Sequence, residues 1–124
     1  MLNGRYANYT TDTTNIAQGA SVAMRVTNGF PYTLDHFGMW VDWNNNGNFL
    51  DDPAVTVTGI TGGGLYSAAI TCQVGVSEGS KRMRFRIHYD GEATSPCGTA
   101  IWEEVEDYTI IVTGSVWTLS LIHI

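Results

Sequence analysis

Between residues 81 and 90 the chain reads KRMRFRIHYD, with Met83, Phe85, Ile87 and Tyr89 in every second place and Arg82, Arg84, Arg86 and His88 between them. A period of two belongs to an extended strand that turns one face to a core and the other to water. Shorter runs rich in Val, Ile, Thr, Tyr and Trp predict further strands at 21–26, 36–43, 54–60, 65–74 and 105–113, with a weaker one near 6–10. Between them stand clusters of residues that tolerate positive φ: 27–32 (TNGFPY), 44–48 (NNNGN), 61–64 (TGGG) and 78–80 (EGS). No window repeats apolar residues at helical spacing, and the strong helix formers Glu, Lys and Leu are sparse. The pattern predicts an all-β fold, an antiparallel β-sandwich of about seven to eight strands.

At 124 residues the chain suits one hydrophobic core, and neither an internal repeat nor a linker-like stretch divides it. Hydrophobic residues at 44% against 15% charged exclude a disordered tail. A formal net charge of -6 leaves no excess positive field for phosphate backbones or anionic lipid, and no stretch is apolar enough to span a bilayer. Nucleic-acid partners and membrane insertion are therefore not expected. Cys72 and Cys97, in a chain rich in Thr, Asn and Gly, fit an extracellular protein with one disulfide, which would contribute roughly 3 kcal/mol through the loop it closes. Two free thiols acting as small apolar fillers are the other reading. Residues 1–14 lack the basic start, apolar run and cleavage site of a secretion signal. Export would then make the chain an internal piece of a longer protein, with residues 1–118 as one domain incomplete on its N-terminal side. Residues 119–124 (LSLIHI) read as the translation of a sequencing-library adapter.

The segment 42–52, DWNNNGNFLDD, carries the densest set of oxygen donors. Asp42, Asn44 and Asn46 at alternate positions, followed by Gly47 for a tight bend, match the opening of a calcium loop. Asn48 adds a backbone carbonyl, and Asp51 and Asp52 complete the shell. An EF-hand would place a bidentate Glu where Pro53 stands, and the flanks read as strand, so the loop is not an EF-hand. Magnesium, with its stricter octahedral demand, fits less well. The plainer alternative is an Asx-rich hairpin loop whose side chains cap backbone N–H groups.

A second acidic cluster, Glu103, Glu104, Glu106 and Asp107, opens the last strand. Alternation puts Glu106 with Tyr108, Ile110 and Val112, and Asp107 with Val105 and Thr109. A carboxylate pushed towards an apolar face needs a cation, so the expectation is a buried Arg–carboxylate pair locking two strands, drawn from Arg84, Glu104, Glu106 and Asp107, with Arg84 meeting Glu104 or Glu106 as the first choice. The same acids could serve a glycosidase as an acid/base pair, although closeness in sequence does not set their separation across a sugar. Trp40, Trp43 and Trp102 could stack on a saccharide, or simply fill the core. His36, His88 and His123 lack metalloprotease spacing, no G-x-S-x-G elbow occurs, and 59–64 (GITGGG) lacks the spacing of a phosphate loop.

In order along the chain, VDWNNNGNF, KRMRFRIHYD, PCG and EEVEDYTI resemble the GEVED domain of secreted bacterial proteins, over about residues 6–113. The matching positions are Asp42, Trp43, Asn44, Asn46, Gly47 and Phe49, then Arg82 and Arg84, then Pro96, Cys97 and Gly98, then Glu104 to Tyr108. Glu103 stands where the family has its leading glycine, and Asn46 where it has aspartate, which removes one negative charge from the ion loop. The resemblance implies a non-catalytic β-sandwich found beside peptidase, adhesin and other modules in exported proteins of Bacteroidetes-type bacteria. The expected function is an accessory, binding or spacer module of a secreted or cell-surface protein, stabilised by calcium. Its partners would be neighbouring domains of the parent chain and an extracellular glycan or protein. A carbohydrate-binding module and a fragment of a glycoside hydrolase are the competing readings.

Overall fold

The computed structural model describes residues 5–27, 35–59, 64–89, 95–97 and 103–115. Among them lie seven strands and no helix: β1 (Arg5–Ala17), β2 (Ser21–Thr27), β3 (Asp35–Val41), β4 (Thr56–Gly59), β5 (Leu65–Thr71), β6 (Gly79–Tyr89) and β7 (Glu103–Thr113). They form a four-stranded sheet in the order β1-β7-β6-β3 and a three-stranded sheet in the order β2-β5-β4, the two layers of an all-β sandwich. Every sequence-predicted strand is present. The 78–80 turn is shorter than expected, because Gly79 and Ser80 already pair with Val112 and Ile111.

The period of two decides which side chains meet. From the larger sheet, Ile16, Met39, Val41, Met83, Phe85, Ile110 and Val112 face inwards and pack on Ala68, Ile70 and Cys72 of β5. A run of rings, Tyr9, Tyr108, Phe85, Phe37 and Tyr66, crosses this interior with successive centroids 5.4, 5.2, 5.6 and 5.2 Å apart. The run ties β1, at the sheet edge, to β5 in the opposite layer through offset and tilted contacts.

One pairing departs from the antiparallel expectation, since β1 runs parallel to β7. Asn8 pairs with Asp107 and Thr13 with Thr109, so residues 9–12 stand against Tyr108 alone. The three surplus residues are an odd number, and an odd slip exchanges the faces of a strand. Tyr9, half-exposed and stacked on Tyr108, and Ile16, buried beyond the slip, therefore lie on the same side of the sheet, although seven positions apart they would face oppositely in a regular strand.

Candidate functional site

The outer face of the four-stranded sheet carries the residues of chemical interest, and it is not simply a solvated surface. Arg84 of β6 pairs in register with Asp107 of β7 on one side and Trp40 of β3 on the other. Asp107 is fully buried and Trp40 is 2% exposed. Arg84 Nε donates to Asp107 Oδ1 at 2.7 Å and its Nη2 to Oδ2 at 2.9 Å, the two-pronged geometry that makes an Arg–carboxylate pair strong. Tyr6 of β1 donates its hydroxyl to the same Oδ2 at 2.8 Å, and Arg82 Nε lies 3.4 Å away. The Arg84 guanidinium also sits over the Phe49 ring at 4.9 Å and the Tyr6 ring at 5.9 Å. Bonding to Asp107 raises the Arg84 pKa, against the opposing effect of burial.

Two loops close over this cluster. Arg84 Nη1 donates to the Pro96 carbonyl at 3.2 Å, and Arg86 Nη1 to those of Ser95 and Cys97 at 2.8 and 2.7 Å. These bonds seat the 95–97 segment on the sheet. The second loop, 42–52, brings Phe49, itself buried, beneath Arg84. Of the four residues expected to supply the buried ion pair, two come together. Arg84 meets Asp107, and Glu104 and Glu106 lie on the opposite face. There Glu106 accepts the Tyr108 hydroxyl at 2.9 Å. Burial first, and this bond second, push the Tyr108 phenol far above its ordinary value of 10.0.

The 42–52 loop is organised by its own side chains. Asp42 takes the N–H of Asn46 on Oδ1 and that of Gly47 on Oδ2, at 3.3 and 3.0 Å. Asn44 Oδ1 accepts from Asn46 N, Asn46 Oδ1 from Asn48 N, and Asn48 Oδ1 from Leu50 N. Each is an Asx turn feeding the next. Asn45 at φ 55 and Gly47 at φ 84 supply the left-handed backbone such a sequence of turns needs, and the open space around Gly47 leaves backbone freedom as its reason for being glycine. The amide nitrogens of Asn44 and Asn46 converge on Asp51 Oδ2 at 2.9 and 2.7 Å and lower its pKa. Asp52 moves the other way: burial raises its pKa, Asp51 and Asp42 add to the effect, and its Oδ2 is enclosed without a hydrogen-bond partner. Among the described residues no three His, Cys, Asp or Glu side chains converge as a metal site.

The remaining candidates fall elsewhere. Trp40 is buried and Trp43 is partly buried against the core, so the free aromatic faces expected of a stacking platform are not provided by Trp40; among the described residues Tyr6 and Tyr9 are exposed rings. Trp102, Gly98, His123 and residues 119–124 lie outside the described residues, and so do the surroundings of the Glu103 side chain. Cys72 and Cys97 do not form the expected disulfide. Both are free: Cys72 is buried in the core at the end of β5, whereas Cys97 is exposed in the segment held by Arg86. Lys81 escaped the sequence reading. It is 1% exposed, donates to Ser77 Oγ at 2.8 Å and reaches the Asn45 amide oxygen at 3.1 Å once that amide is turned to satisfy its neighbours. Its signal was its place in the apolar phase of β6, which demands a buried stem.

The arrangement defines a β-sandwich module in which arginine–carboxylate chemistry pins two loops to one sheet. The chain belongs to the GEVED domain family, whose model matches residues 36–111, more than half of the sequence. That span holds the 42–52 loop, both clamping arginines, the 95–97 segment and Asp107. No curated protein matches the chain.

Proposed function

We propose that the chain is a non-catalytic accessory module, a rigid spacer or binding unit of a larger secreted or cell-surface protein, stabilised by calcium at its 42–52 loop. The observation that carries the structural role is Asp107, fully buried and engaged by Arg84, Arg82 and Tyr6. Its charge is committed to holding strands and loops together. A glycosidase pair is disfavoured because Glu106 and Asp107 occupy opposite faces of β7 and cannot address one substrate. The cavity that Glu104 and Glu106 do share, with Val26 and Phe37, is about 60 Å³, too small for a sugar ring.

Calcium is supported by the repulsion that the charges of Asp51 and Asp42 exert on Asp52 and by the unpartnered buried oxygen of Asp52. A cation would relieve both. Asp42, Asp51 and Asp52 would hold it with side-chain oxygens of Asn44 and Asn46 and the Asn48 carbonyl, and the ion would supply neutralising charge. Thermal melts in millimolar calcium and in EDTA test this. At a calcium concentration about a hundred times Kd the gain is about 2.7 kcal/mol, visible as a rise of several degrees. Asp52→Asn should remove the rise. An unchanged wild-type midpoint refutes the metal, and leaves the spacer role standing.

A further inference from the structure

Four of the six cationic residues of this acidic chain, Lys81, Arg82, Arg84 and Arg86, lie on one strand, the three arginines in its outward phase. Lys81, Arg82 and Arg84 line a groove of about 440 Å³ between the 42–52 loop and the sheet, together with Thr10, Ser80, Asn48 and Thr109 among others. The charges there are unevenly compensated. Asp107 answers Arg84 through two hydrogen bonds, and Asp42 spends both its oxygens on backbone N–H groups. Arg82 approaches Asp107 no closer than 3.4 Å, through Nε, and 47% of its side chain is exposed. Its guanidinium makes no hydrogen bond among the described residues, in contrast to that of Arg84.

We infer that this groove binds an acidic saccharide, with Arg82 taking the carboxylate or sulfate of a sugar ring and the surrounding hydroxyl and amide groups taking its neutral hydroxyls. A planar guanidinium with both terminal nitrogens available is suited to a two-oxygen anion. One partly free cation among neutral hydrogen-bonding groups matches a ligand with about one charge per ring and many hydroxyls. A phosphorylated ligand would call for several free cations. The inference extends the binding role proposed above but uses neither a bound cation nor the tryptophans.

The test is a heteronuclear NMR titration in EDTA with trigalacturonate, a sulfated disaccharide, neutral maltotriose and a tri-glutamate peptide. Trigalacturonate or the sulfated sugar should move the amides of Arg82, Thr109 and Asn48 and bind at least about tenfold more tightly than maltotriose. The two acidic sugars separate carboxylate from sulfate as the preferred anion. Arg82→Gln should abolish that preference while the protein still melts cooperatively, since Arg84 and Tyr6 keep their hydrogen bonds to Asp107, and a saturating acidic sugar should slow alkylation of Cys97, which lines the groove. Equal binding of maltotriose, undiminished binding by a folded Arg82→Gln, or tri-glutamate binding as tightly as the sugars would overturn the assignment. Neither result bears on the spacer role, which rests on Asp107.

Discussion

Replacing Asp107 by Asn would leave the Arg84 guanidinium, with only a fifth of its side chain exposed, bonded to carbonyls and aromatic faces but without its buried counter-charge. Breaking such a pair from one side costs about 3–5 kcal/mol. Glu106→Gln keeps an oxygen for the Tyr108 hydroxyl and should cost less than about 1 kcal/mol. Urea denaturation of the two variants reads this difference directly; equal losses would mean that the lock is not where the hydrogen bonds put it. Tyr108 gives a second test at this scale. Its folded pKa is raised, by burial first and the bond to Glu106 second, so above pH 10 the unfolded chain sheds a proton that the folded chain retains. Stability from this phenol is complete below pH 10 and falls as pH rises beyond it. Urea midpoints measured from neutral to strongly alkaline pH should show the decline, and Tyr108→Phe should flatten it. If the variant keeps the wild-type slope, other groups are responsible.

At the scale of elements, alternation was enough to find the strands and to assign faces correctly within β6 and β7. It also placed Arg84 and Asp107 on the same, polar-phase side. What it could not supply was that this side is covered. A polar phase usually means water, and here Phe49, Pro96 and the clamped carbonyls make a second, smaller packed layer over it. This covered layer is why Asp107, of the acids at the start of β7, is the one that meets Arg84, and why Trp40 is buried and offers no stacking face. In the 42–52 loop, the Asx capping pattern was legible from residue types, while the repulsion on Asp52 needed coordinates. β1 was seen only as a short segment near 6–10, because residues 9–12 interrupt its period and its partner β7 lies far along the chain. Yet β1 lies before the first residue matched by the family model and still belongs to the core. Ile16→Ala should cost about 2–5 kcal/mol, as for a fully enclosed isoleucine. A chain starting at Ser21 would lose Ile16 and Tyr6 together and expose the β7 edge to aggregation. Circular dichroism melts and size exclusion would read both, and a truncated chain that melts cooperatively as a monomer would show β1 to be dispensable.

For the molecule as a whole, the two thiols report on how its layers are stacked. Cys72 belongs to the interior between the sheets and Cys97 to the groove on the outer face of the larger sheet, so that sheet stands between them. A disulfide needs Cα atoms within about 7 Å and converging Cβ vectors, which residues on opposite sides of a packed sheet do not offer. Burial also raises the Cys72 pKa, which further suppresses its thiolate at neutral pH. The unreduced folded protein should therefore give one rapidly titrating thiol with an aromatic disulfide reagent, and two in concentrated urea. Cys97→Ser should abolish the fast reaction and leave the slow one. Adding a reductant should leave the melting midpoint where it was, since no cross-link restrains the unfolded chain. If instead the folded protein has no titratable thiol and reduction lowers its midpoint, a bond joins the two cysteines. The 95–97 segment would then have to leave its seat on Arg84 and Arg86, and the covered outer face would have to open with it.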